Sequence, residues 1–315
     1  MDTGILKRAA ELLRQGEVVA LPTETVYGLA ANALNPEAVA KIYELKGRPA
    51  FNPIIVHVCE IDMARQCVRD WPLMAQKLAD SFWPGPLTVV LPRSDEIPDI
   101  VTAGGKTVGV RRPRHALVSE VIRLCGFPLA APSANRSGEL SPTTAEHVRK
   151  SFGDAIPLIV DGGPSQVGIE STVLDLSVHP PRVLRPGMIH AESLMAVVGE
   201  LEGEGSTESR PNSNLKSPGL LLKHYSPKAK LIIREWRDAA EMGSQPDDVH
   251  IIAHHRIPRR GNVSVIPHDP DAYARALYAE LHRCDQAGAR LIIVEAVPTT
   301  SEWLAIRDRL SRAAS

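Results

Sequence analysis

The chain has 315 residues, 43% of them hydrophobic and 23% charged, with a formal net charge of -1 at neutral pH. That length accommodates a main domain of about 200 residues and a smaller companion, and the near-zero charge excludes a global field drawing the chain to nucleic acid or an anionic membrane. No apolar run reaches the ~18 residues that a membrane span needs, and the four cysteines form no Cys-x-x-Cys pair, so they read as reduced, buried thiols of a cytoplasmic protein.

In chain order, Ile5, Leu6, Ala9, Leu12 and Leu13 lie at helical spacing and predict an amphipathic first helix rather than a signal segment. Short apolar runs bounded by Pro or Gly follow at 18–21, 54–58, 87–91, 108–110, 129–131, 158–160, 173–176 and 183–184, and they predict strands of a mixed sheet. Helical patterns separate them at 36–45, 73–82, 116–124, 144–152 and 191–201. The fold class is therefore α/β. From 202 the sequence EGEGSTESRPNSNLKS loses periodicity and reads as a linker, assigned to 202–228. Strands then alternate with helices over 229–315, which predicts a small open parallel sheet of Rossmann-like type. It has no Gly-x-Gly-x-x-Gly, so nothing there supports nucleotide binding.

Polar residues interrupt this pattern at strand ends. Thr23, Glu24 and Thr25 follow the 18–21 strand and precede a helical or turn segment near Tyr27. Lys46 and Arg48 flank Gly47, and Pro49 pushes Arg48 out of helical dihedrals, so the two cations are expected on one face of an extended stretch suited to phosphate. His57 points to the face opposite Ile54, Val56 and Val58. Thr107, Gly109 and Arg111 share a face of the next strand, and burying Arg111 requires an anion, either an internal carboxylate or a ligand. Ser133 and Asn135 follow a small-residue strand, and Thr143 with Glu146 reads as a capping box that leaves Ser141 just outside a helix N-terminus. Ser171 opens a strand and Arg185 closes another, while Gly163-x4-Gly168 lacks the Lys-Ser/Thr of a phosphate-binding P-loop. Each stretch alone also suits a turn or a cap. Five strand ends bearing one pattern point instead to a ligand cavity.

Taken together, LPTETVYGLAANA, KGRPAFNPI, GVRRP, Ser133-Ala134-Asn135, GIESTV and LRPG resemble the YrdC-type domain of the threonylcarbamoyl-AMP synthase family, and SPGLLLKHYSPKAKL before a Rossmann-like module resembles that family's two-domain form. The resemblance implies a YrdC-like twisted mixed sheet with helices around a central cavity over 1–201. It implies synthesis of L-threonylcarbamoyladenylate and pyrophosphate from L-threonine, bicarbonate or CO2, and ATP. A downstream complex would then transfer the threonylcarbamoyl group to tRNA. Carried over by position, the threonine contacts are Thr25, His57, Arg111, the backbone at Ala131, and Ser171. The ATP contacts are Arg48, Asn52, Thr107, Ser133, Asn135, Ser141 and Arg185. Lys46 and Arg48 carry the catalytic charge neutralisation, Mg2+ arrives on ATP because no acidic pair has metal-ligand spacing, and the linker brings Leu220, Leu221, Leu222, His224 and Tyr225 over the cavity. The alternative is an RNA-binding module that makes weak RNA contact through Arg111, Arg112 and Arg114, against which the 4% aromatic content argues. An enzyme using carbamoyl phosphate is disfavoured because the chain has neither paired Cys-x-x-Cys motifs nor an acylphosphatase-like segment.

Overall fold

A computed structural model describes residues 3–202, 225–238 and 245–314. The first helix, α1 (Thr3–Arg14), buries Leu6, Ala9, Ala10, Leu12 and Leu13. This stripe packs on α6 (Ala116–Cys125), which turns its own Val118, Val121, Ile122 and Cys125 inward.

Among the described residues, an eight-stranded mixed sheet forms the first half. Its spatial order is β1 (Val19–Leu21), β2 (Gly28–Asn32), β6 (Leu129–Ala130), β3 (Val56–His57), β5 (Thr107–Arg111), β4 (Leu87–Pro92), β7 (Thr172–Asp175) and β8 (Arg182–Arg185). Two pairs, β3 with β5 and β4 with β7, are parallel, and the other neighbours are antiparallel. Near-continuous burial along β1, β2, β4 and β7 matches their unalternating apolar sequence.

Three local expectations are corrected. Of the helical or turn segment expected after Thr25 no helix forms; the chain turns and enters strand β2, because the Thr23 hydroxyl donates to the Val26 carbonyl at 2.6 Å and accepts from the amides of Thr25 and Val26 at 3.2 Å. That closes a tight reversal, and β2 returns antiparallel to β1. The 158–160 run forms only a bridge, Ala20 with Ile159. Helix α7 (Ala145–Phe152) is capped by Thr144, whose hydroxyl accepts from the His147 amide at 3.2 Å, one residue later than the capping box placed it.

Among the described residues, β11 (Asn262–Val265), β10 (Val249–Ala253), β12 (Leu291–Glu295) and β9 (Lys230–Arg234) form an all-parallel second sheet in that order, as the periodicity predicted. Alternation along β10 and β12 splits their side chains between two faces. Ile252, Ile292 and Val294 join a core with α9 (Pro270–Gln286) and α10 (Leu304–Ala313), and Val249, Ile251, Ala253 and Ile293 pack with Trp236. At the carboxyl edge, Glu295 accepts hydrogen bonds from the successive amides of His254, His255 and Arg256 at 2.8, 2.9 and 3.0 Å.

The two halves share one core. Val26, Leu140 and Ile169 of the first half pack with Leu277, Leu281 and Leu310 of the second. The contact is close at Gly168, whose φ of +87° is the left-handed region and whose missing Cβ would lie 2.4 Å from the Ala274 carbonyl oxygen. Around it Arg275 donates to the Gln166 carbonyl at 2.7 Å, and His282 meets the Ser141 carbonyl at 3.1 Å while its ring stacks on His147. No helix among the described residues is long and apolar enough to cross a membrane.

Candidate active site

The strand ends of the mixed sheet enclose a small cavity lined mostly by polar and charged side chains. Its lining includes ten of the residues singled out in the sequence: Thr23, Thr25, Arg48, His57, Arg111, Ala131, Ser133, Ser171, Arg185 and Tyr225. Parallel pairing of β3 with β5 sets His57 directly beside Arg111. Antiparallel pairing of β2 with β6 and the bridge from Gly28 to Ser133 bring the Ala131–Ser133 segment alongside the Thr23–Thr25 turn.

Arg111 finds the internal carboxylate that its burial required. Its Nη2 lies 2.8 Å from Glu24 Oε1, with the two side chains 4% and 3% exposed. Nη1 donates to Thr25 Oγ1 at 3.0 Å and Nε to the Gly85 carbonyl at 3.3 Å. The contact with Glu24 is an ion pair without hydrogen-bond alignment. A guanidinium has five N–H groups, so the terminal nitrogens keep donors for a second carboxylate. Beside it, burial and then the Arg111 charge push the His57 imidazole down to about 3, so this ring is neutral at physiological pH. Its Nδ1 is buried without a partner.

Arg48 is 8% exposed, donates from Nε to the Asn52 carbonyl at 3.0 Å and from Nη2 to the Pro53 carbonyl at 2.6 Å, and is lowered by burial to about 10. Asn52 is fully buried with both side-chain amide atoms unpaired. Arg185 donates to the Ser171 carbonyl at 3.1 and 3.0 Å and to the Ser171 hydroxyl at 3.1 Å, and that hydroxyl also meets Thr88 at 2.8 Å.

The expected extended Lys46-Gly47-Arg48 stretch is corrected. Lys46 ends α2 (Pro36–Lys46) and Gly47 is its left-handed cap at φ 60°, with nothing within 4 Å of a would-be Cβ. The glycine serves the reversal of the chain. Lys46 consequently sits behind the cavity wall, donating to the carbonyl of Ser133 at 2.6 Å, to the carbonyl of Asn135, and to Asn135 Oδ1 at 3.3 Å. Burial, then Arg48, hold its ammonium well below the ordinary lysine value.

Thr107 lines an adjoining cavity with Gly109 and Thr88, and Ile55 borders both cavities. Asn135 and Ser141 are buried beside the main cavity, Asn135 Nδ2 donating to the Glu139 carbonyl at 2.7 Å. Tyr225 is 1% exposed and takes a φ of +62°. Leu220, Leu221, Leu222 and His224 lie outside the described residues.

Sequence reasoning passed over Glu170. It lines the cavity, its Oε1 accepts from Ser141 Oγ at 2.5 Å, and its Oε2 pairs with Arg309 Nε at 2.7 Å. Burial works to raise its carboxyl, but Arg309, then Arg185, and the Ser141 hydrogen bond hold it below the usual value. The burial cost of a carboxylate inside GIESTV was the available signal. Among the described residues no group of three His, Cys, Asp or Glu side chains is arranged to hold a metal ion.

Two family models match the chain: Sua5_yciO_yrdC, described as telomere recombination, over residues 11–187, and Sua5_C, the C-terminal domain of threonylcarbamoyl-AMP synthase, over residues 189–315. Threonylcarbamoyl-AMP synthase of Pyrococcus abyssi is 39% identical over 318 residues, covering 98% of this chain and 93% of the relative. The chain belongs to the threonylcarbamoyl-AMP synthase family. The Bacillus subtilis member is 42% identical, covering 98% of this chain and 92% of its own. The crystal structure of P. abyssi Sua5 complexed with L-threonine superposes with a TM-score of 0.88 at 38% identity, covering 98% of this chain and 94% of that one. The family's YrdC-type fold and C-terminal domain are thus both present.

Proposed function

We propose that the protein is a nucleotidyltransferase that joins L-threonine, bicarbonate-derived CO2 and ATP into L-threonylcarbamoyladenylate, releasing pyrophosphate. One observation carries this reading. A single cavity holds the buried Arg111–Thr25–His57 group beside the Arg48–Ser133–Arg185 group, two arginine-bearing subsites suited to an amino-acid carboxylate and to a polyphosphate.

In the reaction, the threonine amine forms an N–C bond to CO2 and loses a proton, giving a carbamate. A carbamate oxygen then forms a bond to the α-phosphorus while the bond from that phosphorus to the bridging oxygen breaks, and pyrophosphate carries off the electron pair. No nucleophilic side chain is required. The protein supplies alignment and stabilisation of developing charge. Arg111 takes the threonine carboxylate through its remaining N–H groups, with Thr25, the Ala131 backbone and Ser171 around the substrate. Neutral His57 offers a hydrogen bond without adding charge. Arg48 and Arg185 face the phosphates, Asn52, Thr107, Ser133 and Ser141 hold the remainder of ATP, and Lys46 fixes the Ser133–Asn135 segment they depend on. Mg2+ enters as part of the MgATP substrate. A complex that modifies tRNA consumes the product, and the four buried free cysteines suit the reducing cytoplasm.

The test is pyrophosphate release from ATP with threonine or bicarbonate omitted in turn. Release that requires both supports the assignment, and release indifferent to threonine overturns it. Salt-sensitive RNA binding without such release would instead favour an RNA module.

A further inference from the structure

Two side chains of the second half reach Glu170 in the cavity wall. Arg309 of α10, with no exposed side-chain surface, pairs through Nε with Glu170 Oε2 at 2.7 Å and donates from Nη2 to the Pro186 carbonyl at 3.1 Å. Its Nη1 pairs with Asp308, and its guanidinium lies 5.2 Å from the centre of the Tyr225 ring. Tyr278 of α9 donates to Glu170 Oε2 at 3.2 Å. Glu170 in turn receives the Ser141 hydroxyl at 2.5 Å. A wholly buried charge pair across two halves of a chain is a poor source of stability, because hydrophobic residues of similar volume serve as well. Its position behind the cavity wall gives it other work.

We propose that the C-terminal half completes the nucleotide subsite, Arg309 and Tyr278 acting as positioning residues that hold Glu170, and Glu170 fixing Ser141 as a hydrogen-bond acceptor toward the nucleoside. The proposal rests on the reading of the cavity as an ATP and threonine site. An ionised carboxylate only accepts hydrogen bonds, so Ser141 commits its one hydroxyl hydrogen to Glu170 and presents lone pairs alone. A phosphate oxygen is also an acceptor and cannot pair with it. The matching group on ATP is a donor, a ribose hydroxyl or the exocyclic amine, so Ser141 reads the nucleoside while the arginines read the phosphates.

The groups facing Glu170 are Arg309, Arg185, Tyr278, Tyr225 and Ser141, with Asp308 behind Arg309. Arg309→Met removes the leading counter-charge. Glu170 then protonates at a higher pH, and the neutral carboxyl, carrying an O–H donor of its own, no longer dictates that Ser141 donates to it.

The experiment measures binding of ATP, inorganic tripolyphosphate and L-threonine by calorimetry to the full chain, with melting curves alongside, for the unaltered protein, Arg309→Met, Arg309→Lys and Tyr278→Phe. Arg309→Met is expected to weaken ATP by roughly five- to tenfold, the size of one hydrogen bond between neutral groups. Tripolyphosphate and threonine should stay within about twofold, and ATP affinity should recover as pH rises. Arg309→Lys should fall between. Tyr278→Phe keeps the packing and loses only the hydroxyl, so it decides the matter if Arg309→Met fails to fold. A selective loss of ATP in Tyr278→Phe supports the proposal. Equal weakening of all three ligands, or unchanged ATP binding in Arg309→Met or Tyr278→Phe, overturns it. An unaltered chain that binds no ATP overturns the proposed reaction as well, whereas normal ATP binding with insensitive variants overturns this proposal alone.

Discussion

Arg111 and Arg48 carry the same charge into one cavity, but their partners differ in kind. Arg111 is held by a carboxylate and a hydroxyl, whereas Arg48 is held by carbonyls alone, so its full positive charge remains for a ligand. Arg48→Ala should therefore weaken ATP by roughly 10- to 100-fold and threonine far less, and Arg111→Ala should reverse the order, as separate titrations with each ligand would measure. Arg111→Ala also leaves Glu24 buried without a counter-charge and should lower stability by about 3–5 kcal/mol in denaturant unfolding. His57 sets a pH dependence whose sign is fixed. Its folded value of about 3 lies below the unfolded one, so the unfolded chain binds the extra proton and stability falls as pH drops from about 6.5 toward 3. His57→Gln should remove up to about 1.4 kcal/mol per pH unit from the acid limb of stability against pH. The need of Arg111 for an anion was legible in the sequence, since burial of a guanidinium follows from strand alternation. The identity of its partner was not, because Glu24 lies on a turn whose side-chain directions no periodicity encodes.

Helix α2 shows how an element delivers a site residue. Asn35 caps it by accepting from the amides of Glu37 and Ala38, Pro36 fits its first turn, and Gly47 ends it in the left-handed region. Gly47→Ala should lower stability by about 1 kcal/mol, because a Cβ there meets strain rather than a clash. It should also weaken ATP by re-aiming Arg48, which melting curves and titration would check together. The helix itself was readable from its pattern to within its final residue, Lys46. Pro49 restricts Arg48 and leaves Lys46 free to remain helical, so the two cations are not neighbours on one extended face. Strand β2 escaped for a related reason: GLAAN is small and buried along most of its length, so it has no alternation to detect, and only the Thr23 hydroxyl network turns it back on β1.

At the scale of the whole molecule, alternating strands and helices made both sheets legible, while the join between the halves was hidden. Glu170 and Arg309 stand 139 positions apart, and each alone looks like a surface charge in sequence. Gly168 marks that join. Gly168→Ala forces a Cβ toward the backbone of α9 at a strained φ, so the halves should separate, with two melting transitions replacing one and ATP affinity reduced. Glu295 has an effect of its own. Three consecutive amides at the mouth of a parallel sheet make the kind of cradle into which other chains of this architecture lower a diphosphate. Here a resident carboxylate already plugs that seat, so the smaller half is closed as a second berth for nucleotide, and titration should saturate at one equivalent of ATP for each polypeptide.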